Sequence, residues 1–415
     1  MPATARPPQE MPDEDLLDLV QRQTFRFFWD LSHPLSGLAK DRASDQSDRV
    51  AVGGSGFGVM AILVAAERGW ITRDQALSRL TQIASHLERA KSYHGVFPHF
   101  MDGATGETIP FAPGDDGGDL VETSFLFQGL LCARQYFATG SEAETGLRNR
   151  INALWQRVEW NWHTRSDAVL TWHWSPKSGW ALNHHIRGWN ECLIAYVLAA
   201  SSPTHKIEPN IYHQGWASGE DFANGKSYYG IELPLGPAYG GPLFFAHYSF
   251  LGIDPRGLKD RYADYWRQNV NHTRINHAHA LNNPMKCLGY SNVCWGLTAS
   301  DNATGYSAHA PTNDRCVIAP TAALASIPYC PELSMPALRH FLGTLGDRIW
   351  RAYGFTDAFS EQISWYSSDH LAIDQGPIIV MIENYRTGLL WRLFMSCPEV
   401  KAGLAVLGFE SPHLA

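Results

Sequence analysis

The sequence predicts an all-α fold, an (α/α)6 toroid of six inner and six outer helices, on two observations. Segments that are apolar all round alternate with amphipathic ones along almost the whole chain, and strand signals are few and short. A helix without a polar face has to be enclosed, whereas one with a polar stripe lies against solvent. Regular alternation of the two kinds therefore describes an inner ring of parallel helices returned by an outer antiparallel ring.

Asp13 and Glu14 open the first helix, where Leu16, Leu19, Val20, Phe25, Phe27, Phe28 and Trp29 recur at helical spacing up to Leu31. Gly53-Gly-Ser-Gly56 leads into an enclosed segment over 57–68, and 72–90 is amphipathic. The same pair recurs as 118–137 with 144–160, then 188–201 enclosed, 242–251 with 258–280, 315–327 with 336–351, and 373–386 with 389–407. The best strand signals, 169–174 and 228–233, read as hairpins within long loops, and such loops are uncommon unless functional.

The chain has 415 residues, with 41 acidic against 33 basic and a net charge of −8. No stretch concentrates Lys and Arg into an arm or stripe, which excludes a nucleic-acid binder. With 45% hydrophobic and 18% charged residues it can bury a large core. Residues 13–415 are expected to form one catalytic domain behind a flexible Pro-rich tail, 1–12. That tail lacks the apolar core of a secretory signal, and apolar runs such as 57–66 fall short of the roughly 18 residues that span a membrane. A soluble protein is expected, with no membrane partner, cytoplasmic as the chain stands and periplasmic if a leader has been removed. The seven Cys are scattered without a C-x-x-C pair and are expected to be free and buried.

The chemistry is expected where the inner helices begin. Gly114-Asp-Asp-Gly-Gly-Asp-Leu-Val-Glu122 places Asp119 and Glu122 on one helical face behind Asp115. Arg187-Gly-Trp-Asn-Glu191 and Ile373-Asp-Gln-Gly-Pro377 open two further inner helices. Asp115, Asp119, Glu122, Glu191 and Asp374 thus converge on one rim, although each alone also reads as a helix cap. Glu191, inside an apolar run beside Trp189 and Cys192, fits capping least; an enclosed carboxyl there is pushed up and can stay protonated, as a general acid must. Paired carboxylates in an aromatic cavity meet the needs of glycoside hydrolysis. Trp172, Trp189, Trp295, Tyr306 and Tyr366 lie in loops near that rim as sugar platforms. Arg187 either binds sugar hydroxyls or pairs with a rim carboxylate. The His pairs at 184–185 and at 277 and 279 lack a third ligand at metal spacing, so neither metal nor cofactor is expected. A non-catalytic sugar-binding protein is the alternative from another class.

At this point the chain resembles the glucoamylase-like family of bacterial (α/α)6 proteins, and within it glycoside hydrolase family 144, the endo-β-1,2-glucanases. The motifs that carry the resemblance run in order from residue 24 to about 388. They include Thr24-Phe-Arg-Phe-Phe-Trp29, Gly54-Ser-Gly-Phe-Gly58, Gly95-Val-Phe-Pro-His-Phe100, Asp119-Leu-Val-Glu122, Gly188-Trp-Asn-Glu191, Cys294-Trp-Gly-Leu-Thr-Ala299-Ser-Asp301, Gly305-Tyr306, Tyr353-Gly-Phe355 and Asp374-Gln-Gly-Pro377. The resemblance implies an inverting hydrolase of β-1,2-glucan or its oligosaccharides, endo-acting, with Glu191 as general acid and Asp374 as general base. Asp115, Asp119 and Glu122 would serve binding or the proton path. An exo-acting enzyme that releases sophorose or glucose from short oligosaccharides is the alternative it leaves open.

Overall fold

The computed structural model describes residues 10–138, 140–165 and 167–414; all but the end of the expected tail, residues 1–9, lies outside them. Its helices are α1 (Asp13–Asp30), α2 (Val52–Glu67), α3 (Arg73–Leu87), α4 (Leu120–Tyr136), α5 (Glu142–Gln156), α6 (Leu193–Ser201), α7 (Pro209–Ile211), α8 (Tyr265–Asn282), α9 (Pro320–Leu324), α10 (Pro331–Gly343), α11 (Gly346–Ile349), α12 (Ala372–Arg386), α13 (Leu389–Met395) and α14 (Pro398–Val406). A π turn, Tyr212–Trp216, continues α7, and two 3₁₀ turns, Leu243–Ala246 and Tyr248–Leu251, stand where a further inner helix is expected.

The inner ring consists of α2, α4, α6, the paired 3₁₀ turns, α9 and α12. In α2 every residue from Val52 to Ala65 is buried, and in α6 every residue is. The outer helices bury one stripe only; α3 opens on a capping box, in which Thr72 Oγ1 accepts from Gln75 N at 3.1 Å and Gln75 Oε1 from Thr72 N at 2.8 Å. Helices α2 and α4 pack backbone against backbone. A Cβ on Gly56 would stand 2.1 Å from the Phe125 carbonyl oxygen, so the Gly-rich run serves close packing inside α2.

The (α/α)6 architecture holds, with three departures in detail. The enclosed segments at 242–251 and 315–327 are helical only over short stretches, as 3₁₀ turns that follow Pro242 and as the five-residue α9 that opens on Pro320. The last segment is not one outer helix: Pro398 restarts it as α14, so that α13 packs on α4 and α12 and α14 packs on α6. Trp391 Nε1 donates to the Phe250 carbonyl at 2.7 Å, which seats α13 across the C-terminal ends of the inner ring. Third, Cys287 and Cys316 form a disulfide across 29 residues, Cα to Cα 5.3 Å. The expectation that all seven are free fails because two loops distant in sequence converge there; the other five are free and buried.

Short hairpins stand over the N-terminal ends of the inner helices. His173–Trp174 pairs with Gly118–Asp119, Leu170–Thr171 with His185–Ile186, and Ala299–Asn302 with Gly305–Ala308. Among the described residues no helix is long and apolar enough to cross a membrane.

Candidate active site

The helix N-termini of the inner ring meet at a cavity of about 510 Å³. Carboxylates (Asp41, Glu122, Glu191), rings that include Phe111, Trp172, Phe244, Tyr248 and Tyr306, and the cations Arg42, Arg49 and His99 line it. A larger, shallower groove of about 710 Å³ runs outside the rim along 110–116 and 175–182. Only Asp116 and Lys177 charge its walls, without converging carboxylates, so the chemistry belongs to the enclosed cavity.

Asp119 caps α4. Its Oδ1 accepts from Val121 N at 3.0 Å, Glu122 N at 2.9 Å and Trp172 Nε1 at 2.9 Å, while Oδ2 lies 3.2 Å from His99 Nδ1. Burial opposes its charge, yet the His99 hydrogen bond, His173 and the backbone donors hold its pKa below the usual carboxylate range. Asp119 is fully buried; it orients Trp172, which reaches the cavity, rather than facing the cavity itself. Burial also opposes a charge on His99, but Glu122, Asp119 and Asp115 around it push it up to about 9.

Glu122, one turn on, accepts from Gly53 N at 2.8 Å, and burial pushes it up to about 7 against the attraction of His99. Glu191 sits in the turn before α6, whose N-cap is Cys192. Ser249 Oγ donates to the Glu191 carbonyl and accepts from Ile194 N at 3.0 Å, fixing that turn. Burial pushes the Glu191 carboxyl up to about 7 against its own backbone N–H, with Glu122 and Asp119 adding to the rise. A carboxyl held there is protonated about half the time at neutral pH, as a general acid requires.

Asp374 lies in the first turn of α12, 1% exposed, between the cavity-lining Ile373 and Leu371 and the next turn of the helix. Neither of its oxygens, nor Asp357 Oδ1, meets an N–H or hydroxyl donor. The two carboxyls instead stand beside each other in this buried pocket. Burial and the mutual charge push both up, Asp357 to about 7. Asp357 Oδ2 accepts from Asp301 N at 2.6 Å.

Of the residues singled out from the sequence, Glu122, Glu191, Trp172 and Tyr306 line the cavity, and Asp119 and Asp374 stand directly behind its wall. Asp115, 7% exposed, lies 3.4 Å from His173 Nδ1 at the rim. Four lie elsewhere. Arg187 is exposed and donates to His185 Nδ1 at 3.1 Å, neither on the cavity nor paired with a rim carboxylate. Trp189 packs against Trp216, Phe250 and Tyr265 in the core, and the fully buried Trp295 packs against His277. Tyr366 stacks on Phe359 and accepts from the Arg348 guanidinium on an outer hairpin. The core takes the two indoles because a large apolar ring gains more from full burial than from a rim position. The sequence reading missed Asp41, Arg42, His99, Tyr248 and Asp357. His99 lies inside the quoted Gly95–Phe100 motif and Tyr248 inside the enclosed segment 242–251, but neither is acidic.

Asp115, Asp119 and His173 stand close enough together to share an ion. Asp119 already receives three N–H donors on one oxygen and His99 on the other, and Asp115 and Asp119 raise the pKa of His173 against its burial. His173 Nδ1 lies 3.4 Å from Asp115 and 3.7 Å from Asp119, so the three form an ion-pair cluster.

A family model described as "Putative glucoamylase" matches residues 183–398. The exo β-1,2-glucooligosaccharide sophorohydrolase (non-reducing end) of Parabacteroides distasonis is 46% identical over 416 residues, 95% of this chain and 58% of its own length. The chain thus spans somewhat over half of that curated relative. The endo-β-1,2-glucanase of Chitinophaga pinensis, solved with sophorotriose and glucose, is 52% identical, with a TM-score of 0.95 over 97% of this chain and 100% of that one. The β-1,2-glucanase structure from Parabacteroides distasonis is 46% identical, with a TM-score of 0.94 over 96% of this chain and 60% of that one. With full coverage of a relative at that identity, and the acidic helix entrances in place around one cavity, the chain belongs to the glucoamylase-like family, in the group of glycoside hydrolase family 144.

Proposed function

We propose that the protein is an inverting glycoside hydrolase of β-1,2-glucan and β-1,2-glucooligosaccharides. The observation that carries this reading is the delivery of carboxyls by separate elements to one aromatic-lined cavity, with Glu191 held near neutrality by burial. Glu191 protonates the leaving oxygen, and Asp374, as base, takes the proton of the attacking water. Glu122 and His99 set the charge around Glu191, Trp172 and Tyr306 stack on sugar rings, and Asp115 and Asp119 fix the rim that holds them. The net charge of −8 fits a neutral polyol better than a nucleic acid or an anionic membrane surface.

Endo action on the polymer is the primary reading. The name of the Parabacteroides distasonis sophorohydrolase favours the exo reading for short oligosaccharides. A product time course on long β-1,2-glucan decides between them: mixed oligosaccharides from the first minutes mark endo action, sophorose alone marks exo action, and no product on polymer or oligosaccharide refutes the hydrolase. Polarimetry of the fresh product tests inversion, and a retained anomer overturns the base role of Asp374.

A further inference from the structure

Asp357 lies outside every motif that points to acid–base chemistry, yet its carboxyl is 1% exposed and faces that of Asp374. With both ionised, Asp357 Oδ1 and both Asp374 oxygens would be buried acceptors without a donor, an arrangement proteins rarely tolerate. One proton between the two carboxyls supplies the missing donor. Asp357 is itself tied down. Its Oδ2 accepts from Asp301 N at 2.6 Å, the Asp301 carboxylate receives Arg42 at 3.3 and 3.4 Å, and Arg42 reaches Asp369 at 3.3 Å. Asp369 accepts from Ser44 N at 3.0 Å. An anchored chain of polar contacts thus runs from the 41–44 loop to the start of α12.

We infer that Asp357 is the positioning partner of Asp374, and that the base of this site is a two-carboxyl unit holding one proton in its resting state. The inference rests on the base role given to Asp374 above. In the hydrolytic step Glu191 gives its proton to the leaving oxygen as the glycosidic C–O bond breaks. The attacking water forms the new bond to the anomeric carbon and gives one proton to the unit, which passes from one proton to two. The unit then returns that proton to solvent, and Glu191 takes one up. The charged and titratable groups around the unit are Asp41, Asp301 and Arg42, with Tyr248 and Tyr306 on the cavity side.

The test is Asp357→Asn, nearly isosteric and able to donate one N–H but not to share a proton, read in two ways. On β-1,2-glucan its kcat falls about tenfold to a hundredfold with KM within about twofold, the signature of a misplaced base rather than lost sugar contacts. In calorimetry without substrate, the fall in Tm between pH 5 and pH 8 is smaller than in the wild type by about 2 °C or more, because one raised carboxyl is gone and its repulsion of Asp374 with it. A kcat within twofold of wild type, or an unchanged pH dependence of Tm, overturns the inference. If the calorimetric change appears in a protein that hydrolyses no β-1,2-glucan, the paired carboxyls stand and the functional reading falls. Should Asp357→Asn not fold, Asp357→Ser is read by the same two measurements.

Discussion

The entrances of α4 and α12 each carry an Asp, as the N-cap of α4 and in the first turn of α12, and the protein uses them oppositely. At α4, Asp119 is ringed by donors and held ionised, a load on stability met by the backbone, an indole and two imidazoles. At α12, Asp374 has no such donor and faces another carboxyl. An acidic residue at a helix start is therefore a cap or a reactive group according to what the rest of the fold turns toward it. The macrodipole contributes at both ends alike, roughly 0.3–1 kcal/mol, and does not distinguish them.

The largest expected effect lies at a third entrance. Glu191→Gln keeps the fold, because the amide fills the same space, but cannot donate a proton, and kcat on β-1,2-glucan falls roughly 10²- to 10⁴-fold. A variant keeping more than about a tenth of the wild-type rate takes Glu191 out of the acid role.

Next in size is the contrast itself, measured by Asp119→Asn against Asp374→Asn. The first keeps a capping oxygen but loses the charge paired with His99 and His173, so its Tm drops, in line with the roughly 3–5 kcal/mol lost when one partner of a buried pair is removed, and its activity falls as the charge around the cavity changes. The second removes a buried carboxyl that nothing but Asp357 satisfies, so activity is lost while Tm at pH 8 holds or rises. If Asp374→Asn is the less stable of the two, the distinction between cap and reactive group is wrong.

The fold was largely legible because enclosure shows in sequence: a helix with no polar face has only one place to go. The rim was legible in part, since Asp or Glu at an inner-helix start reaches the cavity or the layer behind it. What failed depends on rotation and on distant pairing. Neighbouring residues do not tell whether Trp189 points to core or cavity. Asp357 sits in a loop between short strands, where no period marks its side, and the Cys287–Cys316 bridge needs two loops to meet.

A smaller effect is the pH dependence of stability, where the buried carboxyls act with opposite sign. Glu191 and Glu122 are raised in the folded state to about 7. Their contribution is full below the unfolded carboxyl value near 4 and is lost as pH rises through about 7. His99, raised to about 9, adds stability below its unfolded value that is lost as pH rises through about 9. Asp119, lowered, contributes above its unfolded value and loses that contribution only on acidification. Tm is expected to fall from pH 5 to pH 9, and less steeply in Glu191→Gln. A wild-type Tm that rises over that range contradicts the raised carboxyls.

The smallest expected effect is none: exhaustive chelation leaves both Tm and turnover on β-1,2-glucan unchanged. Asp115, Asp119 and His173 are the place to look, since their ligand atoms lie near one another at the α4 entrance. A hard cation such as Ca²⁺ takes about six or more oxygens, whereas Asp119 Oδ1 already accepts from Val121, Glu122 and Trp172. The charge an ion would neutralise is met by His99 and His173, both raised by the surrounding carboxylates despite burial. If EDTA lowers Tm and Ca²⁺ restores it, those imidazoles are neutral and the α4 entrance is an ion site. Asp119 would then be a ligand rather than a cap, and the contrast with α12 would be one between a metal centre and a proton-sharing pair.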